Sequence, residues 1–408
     1  MKVLVCNAGS TSLKFKLMEM PQETVLCEAK VERVGSESSA IYAYTNLIGN
    51  IKELRENLNV PNYGAGIRLF LDSMTSTESG VLDSVAELGV LDSVAELGGI
   101  GYKSVLSKGF YGVHELTEDV MQGMRDHLFI APVHNTAYLE AITQFQGILP
   151  EVPMIGVFET AFHTTIPQER RLYSVPYEWY EKYGIMKMGY HGASHEYVAQ
   201  QAESFGKTEY VISCHLGGSC SICAIHNGKS VNNSFGFSLQ TGVMHANRCG
   251  DIDPYIIPYL IDQGMEIGEI LRALSSNGGL LGMSGVSNDL RDIILAKKEG
   301  NERAGLAVDA FVNNIVHYIG AYYAELGGLD QLVFTGGIGE NSDEVRGMVC
   351  NALRHMGILL DAEANASSRA GVISQPDSKV VVSVIPANEE LGIARRTYDV
   401  VRDGGIRE

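Results

Sequence analysis

Two stretches of this 408-residue chain, about half its length apart, follow one plan: an apolar strand, a turn of small polar residues, then a second strand. The first is Val3-Leu4-Val5-Cys6-Asn7-Ala8-Gly9-Ser10-Thr11-Ser12-Leu13-Lys14-Phe15, and the second is Val211-Ile212-Ser213-Cys214-His215-Leu216-Gly217-Gly218-Ser219-Cys220-Ser221-Ile222. Glycine and serine at a hairpin tip let backbone N–H groups approach an anion closely, because no Cβ intervenes and hydroxyls add donors. Two such tips facing each other would clamp phosphates. A third glycine turn, Phe334-Thr335-Gly336-Gly337-Ile338-Gly339-Glu340-Asn341-Ser342, follows an apolar strand and precedes a helix, which suits a nucleotide. One hairpin tip alone is more often a plain turn. Three, two of them alike, constrain the chain far more.

At this length a single core is insufficient, and two or three domains are expected. A formal net charge of −18 repels a phosphate backbone and argues against nucleic acid, although small anions can still enter a locally basic cleft. The seven cysteines include one Cys220-x-x-Cys223 spacing without a second pair. On a strand these two face opposite sides, so they read as reduced core thiols, with a zinc or redox pair as the lesser alternative. No apolar run reaches membrane-spanning length, and Met1-Lys2-Val3 enters a strand rather than a secretory signal. A cytoplasmic protein with no membrane partner is expected.

Periodicity predicts strands over 2–6, 13–19 and 25–33, a helical stretch over 66–98, helices over 116–127 and 133–146, and a strand over 154–158. Inside the helical stretch Val81-Leu82-Asp83-Ser84-Val85-Ala86-Glu87-Leu88-Gly89 repeats immediately as residues 90–98, a local duplication too short for a solenoid. Turn-rich composition near 163–167 marks a boundary. Beyond it come a strand pair over 209–226, an Asn227-Gly228 hairpin turn, helices over 254–263, 268–275, 289–298 and 302–325, strands over 331–335 and 380–385, and a terminal helix. Sheet then helices, repeated, implies two α/β domains of similar plan with a cleft between them.

The three turns, together with Phe162-His163, Gly189-Tyr190-His191-Gly192-Ala193-Ser194-His195, Arg248-Cys249-Gly250-Asp251-Ile252-Asp253-Pro254, Ser287-Asn288-Asp289-Leu290-Arg291-Asp292 and Asn388-Glu389-Glu390-Leu391, resemble the acetate kinase family in nearly the same order across the whole chain. Residues 238–254, with Gly242-Val243-Met244, are similar to its propionate kinase branch. The resemblance implies the duplicated fold of actin, sugar kinases and the 70-kilodalton heat-shock chaperones. It assigns residues 1–163 plus 389–408 to an N-terminal domain and 164–388 to a C-terminal nucleotide-binding and dimerisation domain of a homodimer. It also implies phosphoryl transfer between ATP and a short carboxylate to give an acyl phosphate and ADP, with Mg2+ or Mn2+.

Carried over residue by residue, the resemblance implies Asn7 and Glu389 as metal positions and Ser10, Ser12 and Lys14 as nucleotide contacts. Further nucleotide contacts fall on His215, Leu216, Gly217, Gly218, Ser219, Asp289, Leu290, Arg291, Gly337, Ile338, Gly339, Glu340 and Asn341. Arg248 and His191 would stabilise the transferring phosphoryl group, and His134 matches a further histidine of the family. Plainer readings stand beside these: Asn7 as a turn residue, Glu389 as a first-turn helix carboxylate, Asp289 as an N-cap, Lys14 as an exposed strand lysine, each histidine as a satisfied structural group.

The chain also departs from the family. Across Gly101-Tyr102-Lys103-Ser104-Val105-Leu106-Ser107-Lys108-Gly109 the substrate arginine becomes Lys103, or Lys108 if the register shifts by one. Lysine keeps the charge and loses the bidentate fork. The catalytic aspartate becomes Glu159, whose extra methylene is expected to displace the carboxylate; a misplacement on the order of 1 Å can cost about a hundredfold in rate. Gly218 and Ser219 stand for asparagine and glycine, while Leu239, Tyr190 and Val133 replace proline, phenylalanine and leucine in the acid pocket with Val105. A small-acid kinase is therefore expected, the alternative being a nucleotide-holding paralogue with little or no turnover. A sugar kinase would need a sugar-binding motif that is not seen here.

Overall fold

A computed structural model describes residues 1–76, 78–79, 94–130, 132–367 and 369–405; the side chains of residues 94 and 132–134 lie outside the described set. The chain divides into two compact units, Met1–Ala161 with Asn388–Glu408, and Phe162–Ala387.

The first unit holds strands β1 (Lys2–Gly9), β2 (Ser12–Glu19), β3 (Thr24–Glu32), β4 (Ser36–Asn46), β5 (Ile51–Val60), β6 (Leu97–Ser104), β7 (Val113–Glu115) and β8 (Met154–Phe158). They form one sheet in the order β5-β4-β3-β2-β1-β6-β8-β7. The run Val3-Leu4-Val5-Cys6 is apolar on both faces because β1 is central, antiparallel to β2 and parallel to β6. Alternation sorts the faces. Cys6, Phe15 and Tyr102 point to one side, where Phe15 stacks on Phe70 at 4.4 Å and meets Phe145 edge-on at 6.2 Å. Asn7, Lys14, Gly101 and Lys103 occupy the other side, with the C-terminal helix Glu389–Arg402. That helix can approach because Gly101 has no side chain: a Cβ there would lie 2.2 Å from Thr397 Oγ1 and 2.8 Å from Ile393.

The second unit holds β9 (Tyr210–Leu216), β10 (Cys220–His226), β11 (Lys229–Asn233), β12 (Gln331–Thr335), β13 (Gly371–Val372) and β14 (Val381–Val384), in the order β11-β10-β9-β12-β14-β13. In each unit a hairpin-linked triplet, β3-β2-β1 or β11-β10-β9, continues through two parallel strands to a short antiparallel edge. The plan is thus duplicated, and β4 and β5 extend the first copy alone. The 25-residue helix Glu302–Leu326 buries Ala304, Ala307, Phe311, Ile315, Ile319 and Tyr322, spaced three or four apart, against this second core. Asn227 and Gly228 both take positive φ, 49° and 73°, the geometry a two-residue hairpin turn demands.

Several expectations are corrected. The helix expected over 66–98 is Tyr63–Thr75, and Leu97 already belongs to β6. The helical spacing of the duplication's last residues yields there to pairing with β1, since Lys2 opposes Leu97. The remainder of the duplication, residues 81–93, lies outside the described residues. The third glycine turn is itself helical over Gly336–Asn341. All seven cysteines are unbridged, and among the described residues no group of three or more His, Cys, Asp or Glu side chains is arranged to hold a metal.

Candidate active site

In the first unit, three segments converge on one ammonium. Lys103 ends β6, Glu159 follows β8 with its N–H donating to Ser104 O at 2.8 Å, and Glu389 opens the C-terminal helix behind its cap Asn388. Lys103 Nζ lies 2.6 Å from Glu389 Oε2 and 3.0 Å from Glu159 Oε1. Burial works against the charge, but the carboxylates of Glu159 and Glu389 outweigh it and hold Lys103 well above its ordinary pKa. Asn7 Nδ2 donates to Glu390 Oε1 at 3.2 Å, while the buried Asn7 Oδ1 has no partner among the described residues. That orphan oxygen, of a kind that suits a hard cation, lies beside Glu390, while the Glu389 carboxylate is engaged by Lys103. Lys14, opposite Asn7 across the hairpin, lines a cavity of ≈ 260 Å³ with Asn7 and Glu390. Ser12 lies on an adjoining basic groove with Lys30 and Arg33, and Ser10 is exposed at the tip. Val105 is buried. Lys108 joins no ion pair among the described residues, which leaves Lys103 as the lysine in the cluster. The side chains of His134 and Val133 lie outside the described residues.

In the second unit, Gly217, Gly218, Asp289, Leu290, Arg291, Gly337, Ile338 and Asn341 line one cavity of ≈ 930 Å³. Gly336 takes φ +77°, and a Cβ on it would sit 2.8 Å from Leu216 O, so β9 and the Gly336–Asn341 helix touch only because this residue is glycine. Asp289 is both cap and cavity wall: its carboxylate accepts from Arg291 N and pairs with the Arg291 guanidinium, whose hydrogen bonds hold its pKa down to about 2. Glu340 accepts from Gly336 N and Ala387 N, so its carboxylate braces the helix. Asn341 Nδ2 donates to Gly337 O. Gly339 is buried, and Ser219 sits at the partly exposed tip after Gly217 and Gly218.

His191 stands at φ +60°, ψ +31°, strained for a residue with a Cβ, just before the helix Gly192–Ala202. Its ring lies 4.1 Å from that of His215, whose Nδ1 is 2.8 Å from Ser194 Oγ. Two residues earlier, a Cβ on Gly189 would strike the His163 ring at 2.7 Å, which explains glycine at its φ of +73°. Tyr190 is fully buried, its hydroxyl donating to Phe237 O at 2.9 Å. Arg248 Nη1 donates to Leu239 O at 2.6 Å; burial lowers its pKa, and among the described residues no carboxylate pairs with it. Arg346, which belongs to no motif in the sequence, is a buried guanidinium that donates to Gly339 O, Glu340 O and Asn365 and so fixes the end of the glycine helix. Its only signal was a charge at a core-facing helical position.

The duplicated sheets and the glycine-lined cavity define a two-unit α/β protein built on a repeated plan. The chain belongs to the acetokinase family, whose sequence model matches residues 2–395. It is 44% identical over 408 residues to the acetate kinase of Geobacillus kaustophilus, covering 98% of each chain, and 43% identical to that of Bacillus subtilis, covering 98% of this chain and 99% of the other. The crystal structure of Porphyromonas gingivalis acetate kinase superposes with a TM-score of 0.86 at 36% identity, and a propionate kinase from Francisella tularensis with 0.86 at 31%, each covering 98% of this chain and 99% of its own. The chain is accordingly a phosphotransferase with a carboxyl group as acceptor. No described helix is long and apolar enough to cross a membrane.

Proposed function

We propose that this chain transfers a phosphoryl group between ATP and acetate, propionate or a related short-chain acid, giving an acyl phosphate and ADP. The observation that carries the reading is Arg248, a largely buried guanidinium that makes one bond to a carbonyl and no ion pair among the described residues. A cation desolvated without a counter-charge is expensive unless an anion arrives, and a transferring phosphoryl group is such an anion. The cavity beside Gly217, Asp289 and Gly337 suits the nucleotide in size and in its glycine-rich wall.

Asn7 and Glu389 would hold the divalent metal, Mg2+ or Mn2+, which when bound neutralises phosphate charge. Lys103 is poised for the acid's carboxylate, although its ammonium also serves Glu159 and Glu389. His191 donates a hydrogen bond to the phosphoryl oxygens, and the Leu239 segment, held by Arg248, sides with Tyr190 toward the acyl tail. The same reading carries with it a cytoplasmic homodimer. Trapping acyl phosphate as the hydroxamate, with purified protein, ATP, metal and acids from formate to pentanoate, tests it. Acyl hydroxamate with acetate or propionate is expected; none with any acid, from protein that binds ATP, would overturn it.

A further inference from the structure

The face of β9 and β10 that meets the helix Gly192–Ala202 is polar where a helix-covered sheet is ordinarily apolar. Ser213 pairs with Cys223 and His215 with Ser221 across the hairpin, so all four share this face. Ser213, Ser221 and His195 are fully buried, and His191 is nearly so. They form one chain of hydrogen bonds. Ser213 Oγ lies 2.9 Å from His195 Nδ1, His195 Nε2 lies 2.7 Å from Ser221 Oγ, and Ser221 Oγ lies 2.8 Å from His191 Nδ1.

Counting protons gives the chain a direction. If Ser213 donates to His195 Nδ1, then His195 Nε2–H donates to Ser221 and the Ser221 hydroxyl donates to His191 Nδ1, so all three protons inside the chain have acceptors and the remaining one, His191 Nε2–H, sits on the less buried ring. In the opposite sense His191 Nδ1–H begins the chain, and the Ser213 hydroxyl proton ends it without an acceptor among the described residues. A buried donor left without an acceptor is costly, because it has lost its hydrogen bond to water and gained none in exchange. A doubly protonated His191 forces the same opposite sense and the same orphan. Burial, with His163 and His215 adding to it, holds His195 well below its ordinary pKa, so it stays neutral and donates from one nitrogen only.

We propose that Ser221, His195 and Ser213 are positioning residues that hold His191 neutral in the tautomer protonated at Nε2. The backbone contributes, since the left-handed φ of His191 fixes where its ring can go. The proposal deepens the phosphoryl-transfer reading and rests on it for the use of the Nε2–H donor. An imidazole free to exchange tautomers would present a lone pair to a phosphoryl oxygen part of the time, which repels where a donor attracts.

The experiment is long-range proton–nitrogen correlation NMR on protein labelled with 15N-histidine at neutral pH, the His191 signals being assigned by their loss in His191→Gln. Wild-type protein is expected to show His191 protonated at Nε2. Ser221→Ala removes the hydroxyl that donates to Nδ1, so His191 should move to a mixture of tautomers, with kcat down by about tenfold or more and nucleotide affinity nearly unchanged. Ser221→Thr, which keeps a hydroxyl, should restore both. Ser213→Ala, two bonds further away, should give the same tautomer shift in smaller measure. Protonation at Nδ1 in the wild type overturns the proposal without any variant, and an unchanged tautomer in folded Ser221→Ala does so as well. A shifted tautomer with unaltered kcat supports the positioning network and counts instead against His191 acting on the phosphoryl group.

Discussion

Arg248 and the buried histidines are single residues whose surroundings already specify measurable behaviour. Removing the guanidinium with Arg248→Ala should lower turnover by about a hundredfold or more while ATP affinity changes little, because its charge acts on charge in transit. Steady-state kinetics beside calorimetry checks this, and equal activity of variant and parent would remove Arg248 from the mechanism. Histidine burial makes a separate prediction about acid. Burial lowers His163 to about 4, and burial with the Arg248 charge lowers His245 to about 3. A histidine depressed in the folded state leaves the unfolded chain to bind the proton, so its stabilisation is present above the ordinary pKa near 6.5 and is lost as pH falls toward the folded value. Between pH 7 and 5 each should withdraw about 2 kcal/mol, visible as a falling urea midpoint at constant slope. His163→Gln should flatten that dependence; an unchanged pH slope would show that the folded protein protonates His163 freely. The motif around His191 was legible in the sequence, whereas Ser213 and Ser221 read there as ordinary strand residues, because only pairing across β9 and β10 brings them together.

The elements that line the larger cavity include glycine-containing ends of strands, and their glycines are not equivalent. Gly336 is structural, since a Cβ on it would collide with the Leu216 carbonyl, whereas a Cβ on Gly337 would meet nothing within 4 Å. Gly337→Val should therefore fold with an unchanged melting temperature and lose ATP affinity by at least about tenfold, its branched side chain filling cavity space beside Asp289 and Ile338. Calorimetric ATP titration decides, and parental affinity in the folded variant would move the nucleotide elsewhere. The same elements explain what the sequence could and could not reveal. The hairpins β1–β2 and β9–β10 were legible because apolar strands flank small polar turns. The strands β4 and β5 were not read, although Ala40, Tyr42, Tyr44 and Asn46 alternate inward, because the intervening positions are only partly polar. The helix Gly192–Ala202 is not announced locally because Gly192 and Ser194 in its first turn are weak helix formers and its position is set by contact with β9. Periodicity also carried the helix near 66–98 too far, since nothing local announces the register with β1 that makes 97–104 a strand.

At the scale of the whole molecule, the chain closes its first unit with its own C-terminal segment, and the charge cluster sits where it returns. Lys103 joins β6, the end of β8 and the start of the C-terminal helix, which are distant in sequence. Where the resemblance places an arginine and an aspartate, this chain has a shorter cation and a longer acid, which meet at 3.0 Å. If the extra methylene of Glu159 offsets the shorter reach of Lys103, the two substitutions are coupled. Either single reversion should be worse than both together. Glu159→Asp retracts its carboxylate by about 1.5 Å and opens the ion pair, whereas Lys103→Arg presses a longer fork against Glu159 and Glu389. The double variant restores the reach and adds the bidentate grip. Measured on acids from formate to pentanoate, kcat/KM for acetate or propionate should fall in each single variant and return to the parental value or above in the double, a coupling of about 1–2 kcal/mol. Strict additivity would mean that the two substitutions are independent. A double variant that improves on acetate while losing activity on a longer acid would assign the pair to acid selection.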